Sequence, residues 1–414
     1  MLSLLKSGAT RRFFIAHFQS ELGNGAAYVA LVLVAYHRLH SGWAIALVLL
    51  ADFLPGIVFA APFGALADRF SRRDLAVSAD LLRAAAFIAV AVIPSFLATV
   101  GLALLAGVGT ALFRPATNAA LPALVGEEQR SPAMALYGTA VSLGLTVGPA
   151  LTALVLLFGS ATVMLAINGV TFLVSAAILR TVPLGASPRD REGAGSAEER
   201  GSLWSSTVQG ARSATQIRGV RTLLLIGTGS ALAGALMNVA EPLLATGPLS
   251  AGKSGYSVLV AVYGGAMIVG SLTVSRAGSS VTGLRRRFLG GLALQGAGML
   301  GSAVAPNLGW AVASFALTGA GNSLCMGPEL RLVQELVGER LLGRVFGLRG
   351  TLINIAYVAS FLSAGAVLAA LGVRAVFATG GAGLVALAIA GLLCFRPDRA
   401  GTPLPAVPEP AGAV

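Results

Sequence analysis

Long apolar runs alternate with short polar breaks along most of the chain. Runs able to cross a bilayer fall at 13–36, 43–66, 75–93, 96–117, 133–157 and 160–179, and again at 222–245, 255–275, 288–305, 308–329, 348–371 and 375–395. A helix needs about 20 apolar residues to span the hydrocarbon core. Backbone groups in hydrocarbon must bond within the segment or around a closed barrel. Barrel strands alternate in polarity and are about half this length, so continuous runs of this kind predict helices. The pattern therefore predicts an all-α membrane protein with twelve transmembrane helices, six on each side of a polar break. The expected units are a six-helix bundle at 1–180, a linker at 181–220, a second six-helix bundle at 221–396, and a Pro-rich tail at 397–414 without fixed structure. In the linker, Leu203, Trp204, Val208 and Ile217 fit an amphipathic helix lying on a membrane surface. A plain connector fits equally well.

Composition agrees with that class. Of the 414 residues, 56% are hydrophobic and only 11% charged, against about 25% charged in a soluble domain. The net charge of +12 acquires meaning from its placement. With the N-terminus cytoplasmic, 24 basic residues fall on the cytoplasmic side, and three, Arg38, Lys253 and Arg374, fall outside. This asymmetry predicts both termini in the cytoplasm. It also accounts for the charge without nucleic acid. The N-terminal MLSLLKSGATRRFF lacks a small-residue cleavage site and is expected to stay attached as the first helix. Cys325 and Cys394 lie in apolar runs with no disulfide-like spacing.

The most charged short connection is GALADRFSRR, Gly64 to Arg73. A second basic cluster, in GSLTVSRAGSSVTGLRRRF from Gly270, follows the eighth span as the first follows the second. Val274 stands there where Asp68 stands in the first copy. Halves related in this way are a transporter pattern. The pattern Gly64-x-Leu66-x-Asp68-Arg69-x-x-Arg72-Arg73 resembles the signature loop between helices 2 and 3 of the major facilitator superfamily, with Ser71 in place of the usual glycine. DLLRA from Asp80, FRPATNAALPALV from Phe113 and GERLLGRVFGL from Gly338 are similar to the multidrug, macrolide and enterobactin exporter branch. Gly144-x-x-x-Gly148-Pro149 resembles an antiporter motif, with Thr152 and Ala153 where a glycine pair is common. Ala103 stands where many proton antiporters carry an arginine. The resemblance implies the two-bundle, pseudo-symmetric major facilitator fold, operating as a monomer in the cell membrane (the inner membrane, where there are two).

Candidate chemistry sits on the few polar residues inside the runs. Glu21, Asn24 and Tyr28 share one face of the first span. A carboxyl group in an apolar surrounding favours its neutral form and can load a proton near neutral pH, which makes Glu21, then Asp52, the proton-coupling candidates. Asn24, Tyr28, Asn238, Glu241, Asn322, Asn354 and Tyr357 are candidates to line a substrate cavity. Interhelical hydrogen bonding is the competing reading for the asparagines. Gly64, Asp68, Arg69, Arg72, Arg73, Asp80, Arg83 and Arg114 are expected to form a cytoplasmic gate. Within it, Asp68, Asp80, Arg83 and Arg114 would join in one charge cluster. A charge at membrane depth costs about 2.5–3.5 kcal/mol on insertion scales, so Arg83 and Arg114 call for partners. Glu329 and Arg331 are read as a structural pair or gate. His17, His37 and His40 do not make a metal site, and no cofactor or enzymatic constellation is expected. The reading is secondary active efflux of small amphiphilic molecules by proton antiport and alternating access, with protons, substrate and lipids as partners. An uptake permease of the same fold is the alternative.

Overall fold

A computed structural model of the chain describes residues 4–126, 129–184, 218–275, 280–337 and 339–395. The possible amphipathic segment and the C-terminal tail lie outside the described residues. Everything regular among them is helical. A 3₁₀ turn at Leu4–Lys6 precedes α1 (Gly8–Leu39), α2 (Gly42–Val58), α3 (Ala60–Arg69), α4 (Arg72–Val92), α5 (Phe96–Val125), α6 (Arg130–Phe158) and α7 (Ala161–Arg180). After the central break come α8 (Arg218–Thr246), α9 (Gly252–Ser275), α10 (Val281–Ala303), α11 (Leu308–Leu336), α12 (Glu339–Leu371) and α13 (Val373–Cys394).

Local chemistry sets several helix starts. The side chains of Ser41, Ser71, Ser95, Ser160, Ser280 and Asn307 each accept a hydrogen bond from a backbone N–H of the first turn that follows, as N-caps do. The second predicted span is not one helix. It breaks at Phe59, between Pro55 and Pro62, and resumes as α3. A proline cannot donate to the carbonyl four residues back, so two prolines seven residues apart loosen the ladder between them. Conversely, α5 and α12 run well past the apolar limits read from the sequence, α5 by eight residues beyond 117 and α12 from nine residues before 348.

Seven helices or parts of helices, in α4, α5, α7, α8, α9, α12 and α13, are long and apolar enough to cross a membrane by length and composition among the described residues. Polar positions set α1 and α10 apart from these, and α6 contributes a shorter apolar stretch at Val147–Leu156 among the described residues. His17, Gln19, Glu21 and Asn24 interrupt α1, and Arg285, Arg286 and Arg287 open α10.

Helix pairing is the same on both sides of the central break. In the first half α1 packs on α6 and α7, α4 on α5 and α7, and α2 on α5. In the second, α8 packs on α12 and α13, α10 on α11 and α13, and α9 on α11. The halves meet through α2 against α12 and α6 against α9, itself an exchange of equivalent partners. The end of the molecule carrying Gly64–Arg73 is called the hinge end below, and the opposite one the far end.

Candidate functional site

Around the hinge, α3 stops at Arg69 and α4 starts at Arg72 under the Ser71 cap. Arg72 Nη1 donates to the Ala119 carbonyl at 2.8 Å, tying the start of α4 to α5. Arg73 meets Asp74 at 3.6 Å on the surface. The side chains of Asp68 and Arg69 lie outside the described residues. Deeper in α4, Arg83 donates to Asp80, and both are fully buried. The Arg83 guanidinium carbon lies 4.2 Å from the centre of the Phe113 ring and 4.2 Å from that of Phe172. A cation between two aromatic faces is stabilised by the ring quadrupoles. Gly109 makes room, since a Cβ there would meet the Arg83 stem at 2.6 Å.

That arrangement corrects the expected charge cluster. Asp80 and Arg83 come together, but Arg114 is exposed and outside the pair. The physical reason is that the two rings, with one carboxylate, already surround Arg83. The charges of Arg114 and Arg83 both reach Asp52, His17 and Tyr137.

Glu21 is 6% exposed. The ionisable groups around it are His17, Asp80 and Tyr137, so it belongs to the interior of the first half. His17 stacks on Tyr137 at 3.9 Å between ring centres, and the Tyr137 hydroxyl lies 3.1 Å from Thr117 Oγ1. Gly144 and Gly148 let α6 press on α1. A Cβ on Gly144 would strike the Glu21 carbonyl, and one on Gly148 would come within 2.5 Å of the Ala26 nitrogen. One turn on, Thr152 Oγ1 donates to the Ala26 carbonyl at 2.6 Å. The departure from a glycine pair at this position is thus a hydrogen bond from α6 to the α1 backbone. Pro149 is buried in the same contact.

The other candidates converge between the halves. Tyr28 of α1 is surrounded by Glu241, Tyr357, Asp52 and Tyr263. Asp52, Tyr263, Asn322 and Tyr357 are partly exposed although each lies well inside its helix. Asn322 donates to the Tyr263 hydroxyl. Tyr256 donates to Glu241 Oε1 at 3.5 Å. Phe53 lies 5.8 Å from Tyr357 and 5.5 Å from Phe361, ring centre to ring centre, and joins α2 to α12. Asn24, Asn238 and Asn354 are half-buried. Glu329 pairs with Arg349 and not with Arg331: Nε and Nη2 of Arg349 each donate to one carboxylate oxygen at 2.8 Å. Neighbours two apart on a helix do not face each other, whereas Arg349 faces Glu329 from α12. Tyr256, Tyr263 and Arg349 are members that sequence reasoning missed.

Among the described residues, apolar packing between the halves lies at the far end. One cluster joins Val29, Val32, Leu33, Ile45 and Leu49 of the first half to the core of the second. The hinge-end core of the first half, around Phe13, Val77, Phe113 and Leu179, contains first-half residues alone. At the far end Trp43 lies on Gly365 and Gly42 on Leu368. Beside them is a pocket of about 380 Å³ lined by residues that include Tyr36, His40, Trp43, Leu243 and Leu368.

The family profile described as Major Facilitator Superfamily matches residues 13–226 and 223–413, one match for each half. The chain belongs to the Major Facilitator Superfamily. Macrolide efflux protein A of Streptococcus pyogenes is 25% identical over 342 residues, covering 79% of this chain and 81% of that protein. Macrolide efflux protein A of Enterococcus faecalis is 26% identical over 321 residues, 74% of this chain and 95% of that one. Among solved structures, the nucleoside transporter NupG superposes with a TM-score of 0.74 at 14% identity, covering 94% of this chain and all of that one. That likeness gives the major facilitator fold. The protein is thus an integral membrane transporter and not an enzyme, and it resembles the macrolide and drug efflux branch.

Proposed function

We propose that the protein is a secondary active exporter that moves small amphiphilic molecules out of the cell in exchange for protons, by rocking two six-helix bundles. The repeated helix pairing supports bundles at 1–180 and 221–396. The observation that carries the reading is that, among the described residues, apolar packing between the halves lies at the far end, beyond the partly exposed Asp52, Tyr263 and Tyr357. We read this as a cavity open at the hinge end and shut at the other, as alternating access requires of one of its states. The excess of Arg at the hinge end makes it the cytoplasmic side, so this state takes up substrate from the cell interior. The cell membrane, cytoplasmic termini and a monomeric unit complete the assignment.

Asp52, beside the open space and within reach of the Arg114 charge, and Glu21, behind it, are the acids assigned to proton exchange. A charge crossing the full field is worth about 2.3 kcal/mol per 100 mV, enough to drive accumulation. The relatives' names point to a macrolide as the first substrate to try. In inverted vesicles, an acid interior should drive macrolide uptake, and collapsing the gradient should stop it. Uptake driven only in right-side-out vesicles would overturn the direction, and gradient-independent uptake would overturn the coupling.

A further inference from the structure

The pocket beside the Trp43–Gly365 contact lies outside the polar groups assigned to transport. Its volume of about 380 Å³ falls in the range usual for small-molecule sites, and it lies at the boundary of two units, where such sites are common. Both halves wall it. Tyr36, His40 and Trp43 come from the end of α1 and the start of α2, Leu243 from α8, and Leu368 and Ala369 from α12. His40, Ser41 and Gly247 belong to the connections between helices, and His40 and Gly247 are exposed. The mouth is therefore at the far-end surface.

The lining has two kinds of surface. Rings make up the first-half wall: the Tyr36 and His40 ring centres are 5.8 Å apart, and Trp43 stands over Gly365. Leu243 and Leu368 on the other side are aliphatic. Such a slot suits a flat apolar body. The polar groups at the rim can all donate. An imidazole carries an N–H in either protonation state. Ser41 Oγ accepts from the Trp43 backbone N–H at 3.2 Å, which leaves its own proton to donate. His40 closes α1 in the left-handed conformation, φ 50°, with its N–H donating to the Tyr36 carbonyl at 2.6 Å. That cap fixes where the imidazole leaves the backbone.

Charge around the mouth has one sign. Of the 17 Asp and Glu residues, none lies within four residues of the six connections at this end, where His37, Arg38, His40, Lys253 and Arg374 stand. Arg38 and Arg374 donate to backbone carbonyls, which leaves their charge in place. A positive field with no acid to oppose it concentrates anions.

We propose that the far-end pocket is a binding site, open from outside, for a small flat aromatic anion such as an aryl carboxylate or sulfonate, and that its occupant holds the far end closed. The ring lies among Trp43, Tyr36 and Leu368, and the anionic group accepts from His40 and Ser41. The walls come from both halves, so the pocket is whole only while α2 and α12 are together. A ligand that binds one state better than the other shifts the population toward it. The second part of the proposal rests on the reading above that the far end is the outer face and parts during transport.

The test uses 2-naphthalenesulfonate and its neutral twin 2-naphthalenesulfonamide, with binding read by fluorescence on the full-length protein in nanodiscs at neutral pH. The wild type should prefer the sulfonate by about fivefold or more at low salt, and the preference should shrink as salt is added, since the cations are exposed. His40→Gly, which keeps the left-handed cap, should weaken the sulfonate several-fold more than the twin. Ala369→Phe fills the slot and should abolish binding of both, with a wild-type melting profile as the sign that it is folded. If it does not fold, Ala369→Cys, blocked after folding with a benzyl maleimide in a background where Cys325 and Cys394 are alanine, fills the same space. Equal affinity of the two probes for the wild type overturns the anion site, and undiminished binding with the slot filled overturns its location. The hold on the closed state is read with Asn322→Cys in the same background: saturating sulfonate should reduce labelling from the outside by an impermeant maleimide several-fold. Unchanged labelling with the sulfonate bound overturns that part. Export is read separately, by macrolide exchange in wild-type proteoliposomes without the sulfonate, so that failure of the site and failure of transport are distinct results.

Discussion

Removing one member of the Asp80–Arg83 pair leaves the other charged where water does not reach. Both residues are fully buried, and breaking such a pair costs about 3–5 kcal/mol. Asp80→Asn should therefore lower the melting temperature of the purified protein markedly. Replacing both residues with apolar ones of similar volume, Asp80→Leu with Arg83→Met, should recover most of the loss, since Phe113 and Phe172 already provide an apolar slot for the side chain at 83. If the double variant is as unstable as the single, the pair is held by partners other than each other. The proposed proton carrier is tested at the same scale. Glu21→Gln should abolish gradient-driven efflux yet leave substrate exchange intact, and driven transport at the wild-type rate would exclude Glu21 as a proton carrier.

Close approach between α1 and α6 is the element on which the first half depends. Gly144 and Gly148 face backbone atoms of α1, which cannot move aside as a side chain can. Gly148→Val should push the helices apart and cut folded yield and transport together, and wild-type melting behaviour would refute that contact. Thr152→Val removes one hydrogen bond to the Ala26 carbonyl at nearly constant volume and should cost about 1 kcal/mol. At this scale the sequence was most informative. Apolar runs located the helices, the i, i+3 spacing placed Asp80 beside Arg83, and the Gly-x-x-x-Gly spacing marked a packing face. Partners brought by other helices were not legible. Arg349 lies twenty residues from Glu329, and nothing local to either residue selects the other. The rings around Arg83 come from α5 and α7, and Arg114, one residue after the buried Phe113, is exposed. Tyr256 and Tyr263 read as ordinary aromatic residues of α9 until the fold sets them near Glu241.

For the whole molecule, the proposed alternating access makes the far-end contact the one that must part. Trp43 rests on Gly365, and the lack of a side chain at 365 is what lets α2 and α12 close there, since a Cβ would meet the indole ring at 2.9–3.2 Å. A larger residue works as a wedge. On that proposal, Gly365→Leu should destabilise the state closed at the far end and leave the opposite state, in which the two helices would separate, largely untouched. An energetic difference of about 1.4 kcal/mol between the two states is a tenfold change in their populations. The shift can be read with Asn322→Cys, which borders the open space, in a background where Cys325 and Cys394 are replaced by alanine. Labelling from the outside by a membrane-impermeant maleimide should rise with Gly365→Leu, and labelling from the hinge side should fall in proportion. Both changes are required, because a variant that merely loosened the packing would raise accessibility from the two sides at once. Substrate exchange should slow in the same variant, since return to the state closed at the far end becomes uphill. If outside labelling stays at the wild-type level while the variant remains folded, the Trp43–Gly365 contact is not the closure, and rocking about it fails as the mechanism.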